Sequence, residues 1–455
     1  MSPDLDVIFK AYDVRGVYPE QIDESVAMRV GNAFVGFTGA ARVLVGRDAR
    51  PSSVPLVAAF TEGAVLAGAD VIDLGLASTD LMYFASGHLD APAAMFTASH
   101  NPAQYNGIKL CRAGAAPVGV ETGLAQIKAA VAAELLERAD EPGRAEPRDL
   151  LPAFVDHVRS FVDLDALRPL KVVADTANGI GGLVVPAVFD GLPFELTMLF
   201  GELDGTFPNH PADPIQPENL KDLQRTVVDT DADVGLAFDG DADRVFLVDD
   251  RAQAVSGSLT TAIVASSILR RVATDAPEAN RTVVHNLICS KTVPETVREL
   301  GGTPVRTRVG HSYIKQVMAE TGAIFGGEHS GHYYFRDNFR ADSGLIAALV
   351  VLEALSNADE PLSELRKPFE RYVASGEINR QVDDPAAVIE TVATAFASEQ
   401  EDRLDGLTVD LGDWWFNLRP SNTEPLIRLN LEAGDAAACE AHTAQVLEFV
   451  GGSPA

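Results

Sequence analysis

The chain has 455 residues, 46% hydrophobic and 22% charged, which is too long for one core and too apolar for disorder, so roughly two to four domains are expected. Its 36 Lys+Arg against 66 Asp+Glu give a net charge of -30, which argues against nucleic acid or an anionic membrane surface as partner, since both need a basic footprint. The three cysteines, Cys111, Cys289 and Cys439, are far apart and suggest neither a disulfide framework nor a zinc site, so a reducing compartment is expected.

The first residues lack the charged and apolar regions of a signal peptide, and the most apolar helical stretch, Leu345 to Leu355, is too short for a bilayer and contains Glu353. The expectation is a cytoplasmic, soluble protein. On so acidic a chain, an anionic substrate must be held by a few basic residues placed in a cleft. Three stretches share one design, an apolar run, a polar loop and then a helical pattern. They are Val43–Val45 with Val54 to Ala67, Val172–Ala174 with Leu183 to Phe189, and Val283–Val284 with Thr292 to Leu300. Their recurrence every roughly 110 to 130 residues predicts three similar α/β domains with mixed sheets. Linker-like composition at Glu141–Pro147, Asp249–Gly257 and Ser375–Gly376 sets the expected boundaries, 1–150, 151–254, 255–374 and 375–455. The last segment reads helix (Ala386 to Ala397), three strands (Leu407 to Leu411, Trp414 to Leu418, Leu426 to Leu431), then helix (Ala436 to Val450), an α+β domain.

Four loops carry chemistry. In the first domain the apolar run Pro92–Phe96 leads into Thr97-Ala98-Ser99-His100-Asn101-Pro102. Asn-Pro forces a turn, because the residue before proline is pushed out of the helical region. A serine hydroxyl is thus displayed at a strand end beside His100, suited to a nucleophile or phosphoryl carrier. In the second domain Asp239-Gly240-Asp241-Ala242-Asp243-Arg244 lies between the apolar runs Val234 to Phe238 and Val245 to Val248. Alternate carboxylates around a glycine make a hard-oxygen cage fit for Mg²⁺, and without a cation they would repel one another. An EF-hand reading fails because its sixth position, a glycine, is Arg244 here. In the third domain Gly326-Gly327-Glu328-His329-Ser330-Gly331-His332 displays Glu328 and Ser330, able to grip vicinal sugar hydroxyls. A zinc reading of the two histidines is poorer, since the glycine between them disfavours a shared helical face. In the last domain Arg419-Pro420-Ser421-Asn422-Thr423-Glu424-Pro425 joins two strands and can wrap a phosphate. Walker A and hydrolase-elbow patterns are absent.

Together these loops, with Phe9–Gly16, Tyr105–Lys109 and Val309–Ser312, resemble the α-D-phosphohexomutase superfamily, and within it the phosphomannomutase/phosphoglucomutase group, over nearly the whole chain. The resemblance implies four domains around a central cleft, with Ser99 phosphorylated and sharing Mg²⁺ with Asp239, Asp241 and Asp243. It implies that Glu328 and Ser330 bind sugar hydroxyls and that Arg419, Ser421, Asn422 and Thr423 hold the non-reacting phosphate. Arg15, Lys109, Arg244, His311 and His332 would surround the transfer site. Lys109 and His332 are the general acid/base candidates, and Arg15 and Arg244 the charge stabilisers. Two departures stand out: Lys10 replaces a common arginine, and Ile288 stands where some bacterial members carry a sugar-contacting lysine, which leaves open whether Lys291 replaces that contact.

The expected activity is a phosphohexomutase working on a small phosphosugar through a hexose 1,6-bisphosphate, first a phosphomannomutase, then a phosphoglucomutase, then a phosphoglucosamine mutase. A sugar phosphatase and a non-catalytic sugar-phosphate binding protein are the alternatives of other classes. The expected assembly is a monomer or weak homodimer.

Overall fold

The computed structural model describes residues 4–275, 280–397, 401–420 and 426–454. It divides into two compact units, Met1–Ser256 with Ser330–Leu365, and Gly257–His329 with Arg366–Ala455.

The first unit holds two sheets. In one, strand Val14–Val17 runs antiparallel to Tyr105–Arg112, which runs antiparallel to Ala93–Phe96; Arg42–Arg47 and Asp70–Leu76 continue the sheet in parallel. Strand Ala93–Phe96 is buried on both faces, as the uninterrupted apolar run predicts. Helices Glu24–Thr38 and Ser53–Leu66 cover one side, packing Val30, Phe34, Leu56 and Phe60 onto Val43, Val45 and Phe96. The first starts at Asp23, whose carboxylate accepts from Val26 N at 2.9 Å, satisfying an orphan helix donor. The second sheet sets Phe194–Leu199, Leu170–Asp175 and Val234–Phe238 in parallel, with Val245–Asp249 antiparallel beyond them. Phe238 pairs with Val245, so Asp239–Arg244 is a hairpin loop at the sheet's end. Helix Gly344–Asn357 is apolar on all sides and nearly all buried. Its one acidic residue, Glu353, is accommodated by accepting from Asp163 N at 2.7 Å. No described helix is long and apolar enough to cross a membrane.

The second unit also has two sheets. Thr303–Thr307, Thr282–Asn286 and Phe325–Gly327 are parallel neighbours, with helices between them in sequence. The C-terminal sheet is antiparallel in the order Glu401–Asp402, Leu407–Asp410, Trp414–Pro420, Leu426–Ala433, Val373–Gln381, Ser453–Pro454. Helices Pro385–Ala395 and Ala436–Val450 share its core through Val392, Val446, Phe416 and Leu429. The architecture is therefore three α/β domains and a C-terminal α+β domain.

All three linker-like stretches hold strand structure, and in Asp249–Gly257 the strand Ala254–Val255 pairs antiparallel with Leu247–Val248. Within the linker-like Glu141–Pro147, Ala145–Pro147 pairs in parallel with Val71–Asp73 as an exposed edge strand. Ser375–Gly376 is not a gap between elements but lies inside strand Val373–Gln381, at a register shift. Gly376 has φ +70, the left-handed conformation that such a bulge needs and that a side chain would resist. Helices Glu24–Thr38, Thr79–Leu89, Leu124–Ala132, Leu151–Arg159, Lys221–Thr230, Gly257–Asp275 and His311–Thr321 have no counterpart in the sequence reading.

Candidate active site

Sheet order in the first unit brings sequence-distant groups together. Arg15 sits on the strand paired with Tyr105–Arg112, opposite Gly107, while Lys109 lies opposite Met95 on the strand that feeds the Ser99 turn. The turn itself is tight. Ser99 has φ +50, unusual for a residue with a side chain, and its N–H donates to Thr97 Oγ1 at 2.9 Å. Gly240 approaches Ser99 so closely that a Cβ there would lie 2.5 Å from the Ser99 carbonyl oxygen. Only glycine lets the two loops meet, and the meeting sets Ser99 Oγ to donate to Asp239 Oδ2 at 2.7 Å.

Asp239, Asp241 and Asp243 are all buried. Each offers an oxygen, and these oxygens lie within 4.8 Å of one another. Arg244 donates through Nε to Asp239 Oδ2 at 2.9 Å. Lys109 Nζ donates to Asp241 Oδ2 at 2.6 Å and Asp243 Oδ2 at 2.9 Å. Burial opposes the charge on Lys109, but Asp241 and Asp243 outweigh it and hold the ammonium well above the ordinary lysine range. Burial likewise pushes Asp239 up, with Arg244 opposing and the two neighbouring carboxylates adding to it. Asp241 Oδ1 and Asp243 Oδ1 are buried without a hydrogen-bond partner among the described residues. Buried, unsatisfied carboxylate oxygens beside a third carboxylate and a serine hydroxyl fit a hard divalent cation such as Mg²⁺.

His332 joins this cluster through a backbone bridge to Arg244. Its Nδ1 pairs with Asp342 Oδ2 at 2.8 Å and lies 3.8 Å from Asp243 Oδ1. Burial works against a charged ring, but Asp243 and Asp342 prevail and raise its pKa. His100 is the opposite case. Burial first, then Arg244 and Arg15, push it down to about 2, so it stays neutral. Arg244 Nη2 donates to His100 Nδ1 at 2.6 Å, which fixes that nitrogen as the acceptor. Arg15 Nη1 donates to Asn101 Oδ1 at 2.7 Å on the same turn.

Of the sequence-predicted residues, Ser99, His100, Lys109, Arg15, Arg244, His332 and the three aspartates thus converge in the first unit. Ser330 also belongs to it. Glu328, His311 and Arg419 belong to the second unit. There Glu328 is buried, and its Oε2 accepts from Asn286 Nδ2 at 3.0 Å and from Gly310 N at 3.2 Å, next to His311 on the first turn of helix His311–Thr321. Arg419 Nη2 donates to Glu377 Oε2 at 2.9 Å. Ser421, Asn422 and Thr423 lie outside the described residues. Lys291 is engaged with Asp410 Oδ1 at 2.6 Å, so in this arrangement it is tied down by a carboxylate rather than extended as a spare sugar contact.

Sequence reading missed Thr79, whose hydroxyl donates to Asp241 Oδ2 at 2.6 Å, as well as Asp342 and Asn286. The one available signal was a polar residue adjoining a recognised loop, as Asn286 adjoins Ile288 and Lys291; Asp342, ten positions past His332, and Thr79 gave none.

Comparison with known proteins places these loops in a family. Models described as phosphoglucomutase/phosphomannomutase match in four blocks: alpha/beta/alpha domain I over 6–138, domain II over 152–253, domain III over 256–372 and the C-terminal domain over 377–449. A protein named phosphohexose mutases from Xanthomonas campestris pv. campestris (strain ATCC 33913) is 40% identical over 98% of this chain and 99% of its own length. A phosphomannomutase of Escherichia coli (strain K12) is 39% identical over 97% and 98%. The crystal structure of a phosphoglucomutase/phosphomannomutase family protein from Burkholderia thailandensis superposes with a TM-score of 0.88 at 32% identity, covering 99% of each chain.

Proposed function

The chain belongs to the phosphoglucomutase/phosphomannomutase family and is a phosphohexomutase, and from that premise we propose that it interconverts mannose 1-phosphate and mannose 6-phosphate through a phosphoserine at Ser99 and a hexose 1,6-bisphosphate. The observation that carries this reading is the buried contact of Ser99 Oγ with the acidic triad, flanked by Lys109 and Arg244.

In the proposed forward step the bond between phosphorus and Ser99 Oγ breaks as a sugar hydroxyl oxygen bonds to the phosphorus. The hydroxyl proton passes to a base, and the serine oxygen is left as an alkoxide or takes up a proton. The bisphosphate turns end for end, and the second transfer returns a phosphoryl group to Ser99. Arg244, 3.3 Å from Ser99 Oγ, offsets charge on the transferring oxygens, and Arg15 holds the turn through Asn101. His332, oriented by Asp342, is the better placed proton carrier of the two candidates, because Lys109 is held protonated by two carboxylates. Asp239, Asp241 and Asp243 would hold Mg²⁺ together with the Ser99 oxygen or phosphate, and the bound ion would supply neutralisation of the phosphoryl charge. Glu328, fixed by Asn286 and Gly310, and Ser330 would bind sugar hydroxyls, while Arg419, with Ser421, Asn422 and Thr423, would bind the distal phosphate. His311, which follows the Gly310 that bonds Glu328, would add a further substrate contact.

Mannose is preferred because Gly327–His332 followed by Tyr333-Tyr334-Phe335 resembles the phosphomannomutase group, and full-length relatives carry that name. A grip on hydroxyls shared by mannose and glucose discriminates weakly at C2, so glucose 1-phosphate is the competing substrate. The test combines intact mass with turnover of mannose, glucose and glucosamine 1-phosphates. The reading expects one phosphate on Ser99 and the highest kcat/KM for mannose 1-phosphate. Phosphate mapped to another residue overturns the mechanism, a glucose preference overturns the substrate, and steady release of inorganic phosphate makes the protein a phosphatase.

A further inference from the structure

Arg50 has a side chain that is wholly buried, and nothing in its sequence context marks it. It lies just before helix Ser53–Leu66, far in sequence from the Ser99 turn. Its guanidinium has five N–H donors in one plane, and every one is used. Nε donates to Asp48 Oδ2 at 3.0 Å. Nη1 donates to the carbonyls of Pro102 at 2.8 Å and Tyr105 at 3.0 Å. Nη2 donates to the carbonyls of Ser99 at 2.8 Å and Asn101 at 2.7 Å. One flat cation therefore gathers four carbonyls of a single short loop.

The clamp is itself fixed. Asp48 Oδ1 accepts from Arg50 N at 3.0 Å and from Ser53 Oγ at 2.8 Å, and the Phe207 ring lies 4.9 Å from the guanidinium carbon. Arg50 makes no hydrogen bond or ion pair to the hydroxyl of Ser99, the triad, Lys109 or His332, although its charge and that of Asp241 attract at longer range.

We infer that Arg50 is the positioning residue of the catalytic turn, acting through the carbonyls of Ser99, Asn101, Pro102 and Tyr105 to set where Ser99 Oγ sits. The inference rests on the phosphoserine reading above. Under that reading Ser99 gains and loses a doubly charged group in every cycle, on a backbone held at φ +50. A turn free to respond would shift each time. Held from behind by charge-assisted bonds, it keeps Ser99 Oγ in one place, whether that oxygen is a hydroxyl donating to Asp239 or a phosphate ester with no proton to donate. Lysine cannot replace the clamp, because an ammonium has three donors in tetrahedral array and cannot meet four carbonyls and a carboxylate in a plane.

The test uses the full chain as wild type, R50K and R50A, each first incubated with glucose 1,6-bisphosphate and Mg²⁺. Melting curves, intact mass and separate kcat and KM values are measured with and without millimolar guanidinium chloride. For R50K the expectation is a cooperative melt, kcat lower by about 100-fold and KM within about threefold of wild type, because misplacing a reacting atom by about 1 Å costs that much while substrate contacts persist. Guanidinium, but not sodium chloride at equal ionic strength, should restore part of the activity of R50A and none to S99A. The inference is overturned if folded R50K keeps kcat within about twofold of wild type, or loses only KM. Failure of both variants to fold, or no rescue of a folded R50A, also overturns it by making Arg50 a purely structural residue. If wild-type Ser99 carries no phosphate, the phosphoserine reading is what fails. Amide exchange over residues 97–105, expected to be faster in R50K, then decides the clamp, and unchanged exchange rejects it.

Discussion

The Ser99 cluster and the Glu328–Arg419 groups handle charge in opposite ways. Around Ser99, Asp239, Asp241, Asp243 and Arg244 are all buried and Lys109 is largely so, and the two cations meet carboxylates at 2.6 to 2.9 Å. In the second unit Glu328 is buried but held by an amide and a backbone N–H, and among the described residues Arg419 meets Glu377, a carboxylate one-third exposed that also lies 3.6 Å from Arg428. Buried charges are tolerable only when nearly every one is paired, so removing one partner strands another. Arg419 is as buried as Lys109, but its carboxylate partner Glu377 is one-third open to solvent, and such a pair can exchange its partner for a ligand. The difference teaches that the groups proposed for phosphoryl transfer pair charge with buried charge, whereas those proposed for substrate are held by neutral donors or by a carboxylate open to solvent.

The sharpest way to break that comparison is Ser99→Ala. It should leave the melt unchanged and lower kcat by on the order of 10⁴-fold or more, with the phosphate lost from the intact mass. Substantial residual turnover would remove Ser99 from the chemistry. Asp241→Asn takes one oxygen donor from the triad and one partner from Lys109. We expect a loss of about 100- to 1000-fold in kcat and a weaker response to added Mg²⁺. Turnover untouched by a chelator would sink the metal assignment. Asp342→Asn keeps the shape but weakens the hold on His332, and should cost about 10- to 100-fold in kcat with KM little changed. A change in KM alone would make Asp342 a substrate group. Among the groups proposed for substrate, Arg419→Ala should raise KM by about tenfold, roughly 1.4 kcal/mol, while Ser99 still accepts phosphate from glucose 1,6-bisphosphate. A protein that can no longer be phosphorylated would move Arg419 to the transfer site.

The smallest effect concerns His210, 3.1 Å from Asp175 at the end of a domain II strand. Burial lowers its pKa, but the hydrogen bond and charge of Asp175 outweigh this and raise it. A raised folded-state value means the pair stabilises fully below the unfolded pKa of about 6.5 and loses that contribution as pH climbs through the folded value. The melting temperature gap between wild type and His210→Gln should therefore be wider at acid than at alkaline pH. A gap that widens with pH instead would show that His210 acts as a neutral packing group.

Much of this was legible along the chain because it is local. Val234 to Phe238 and Ala436 to Val450 form where their apolar spacing puts them, since strand and helix periodicities are properties of neighbouring residues. Asn-Pro after Ser99 and the alternating aspartates announce a turn and a carboxylate cluster fit for a cation for the same reason. What only the tertiary structure decided is which distant groups share the site. Thr79 reaches Asp241 across 162 positions, Lys109 reaches Asp243 across 134, and Arg50 meets Ser99 across 49. No local pattern encodes those pairings. They follow from strand order, which sets Lys109 beside the strand that feeds Ser99, and from Gly240, whose missing side chain lets two loops touch. Charge state followed too. His100 and His332 look alike in sequence, yet one is driven neutral by burial among arginines and the other held toward its charged form by two aspartates, because a pKa is set by the groups that folding brings near.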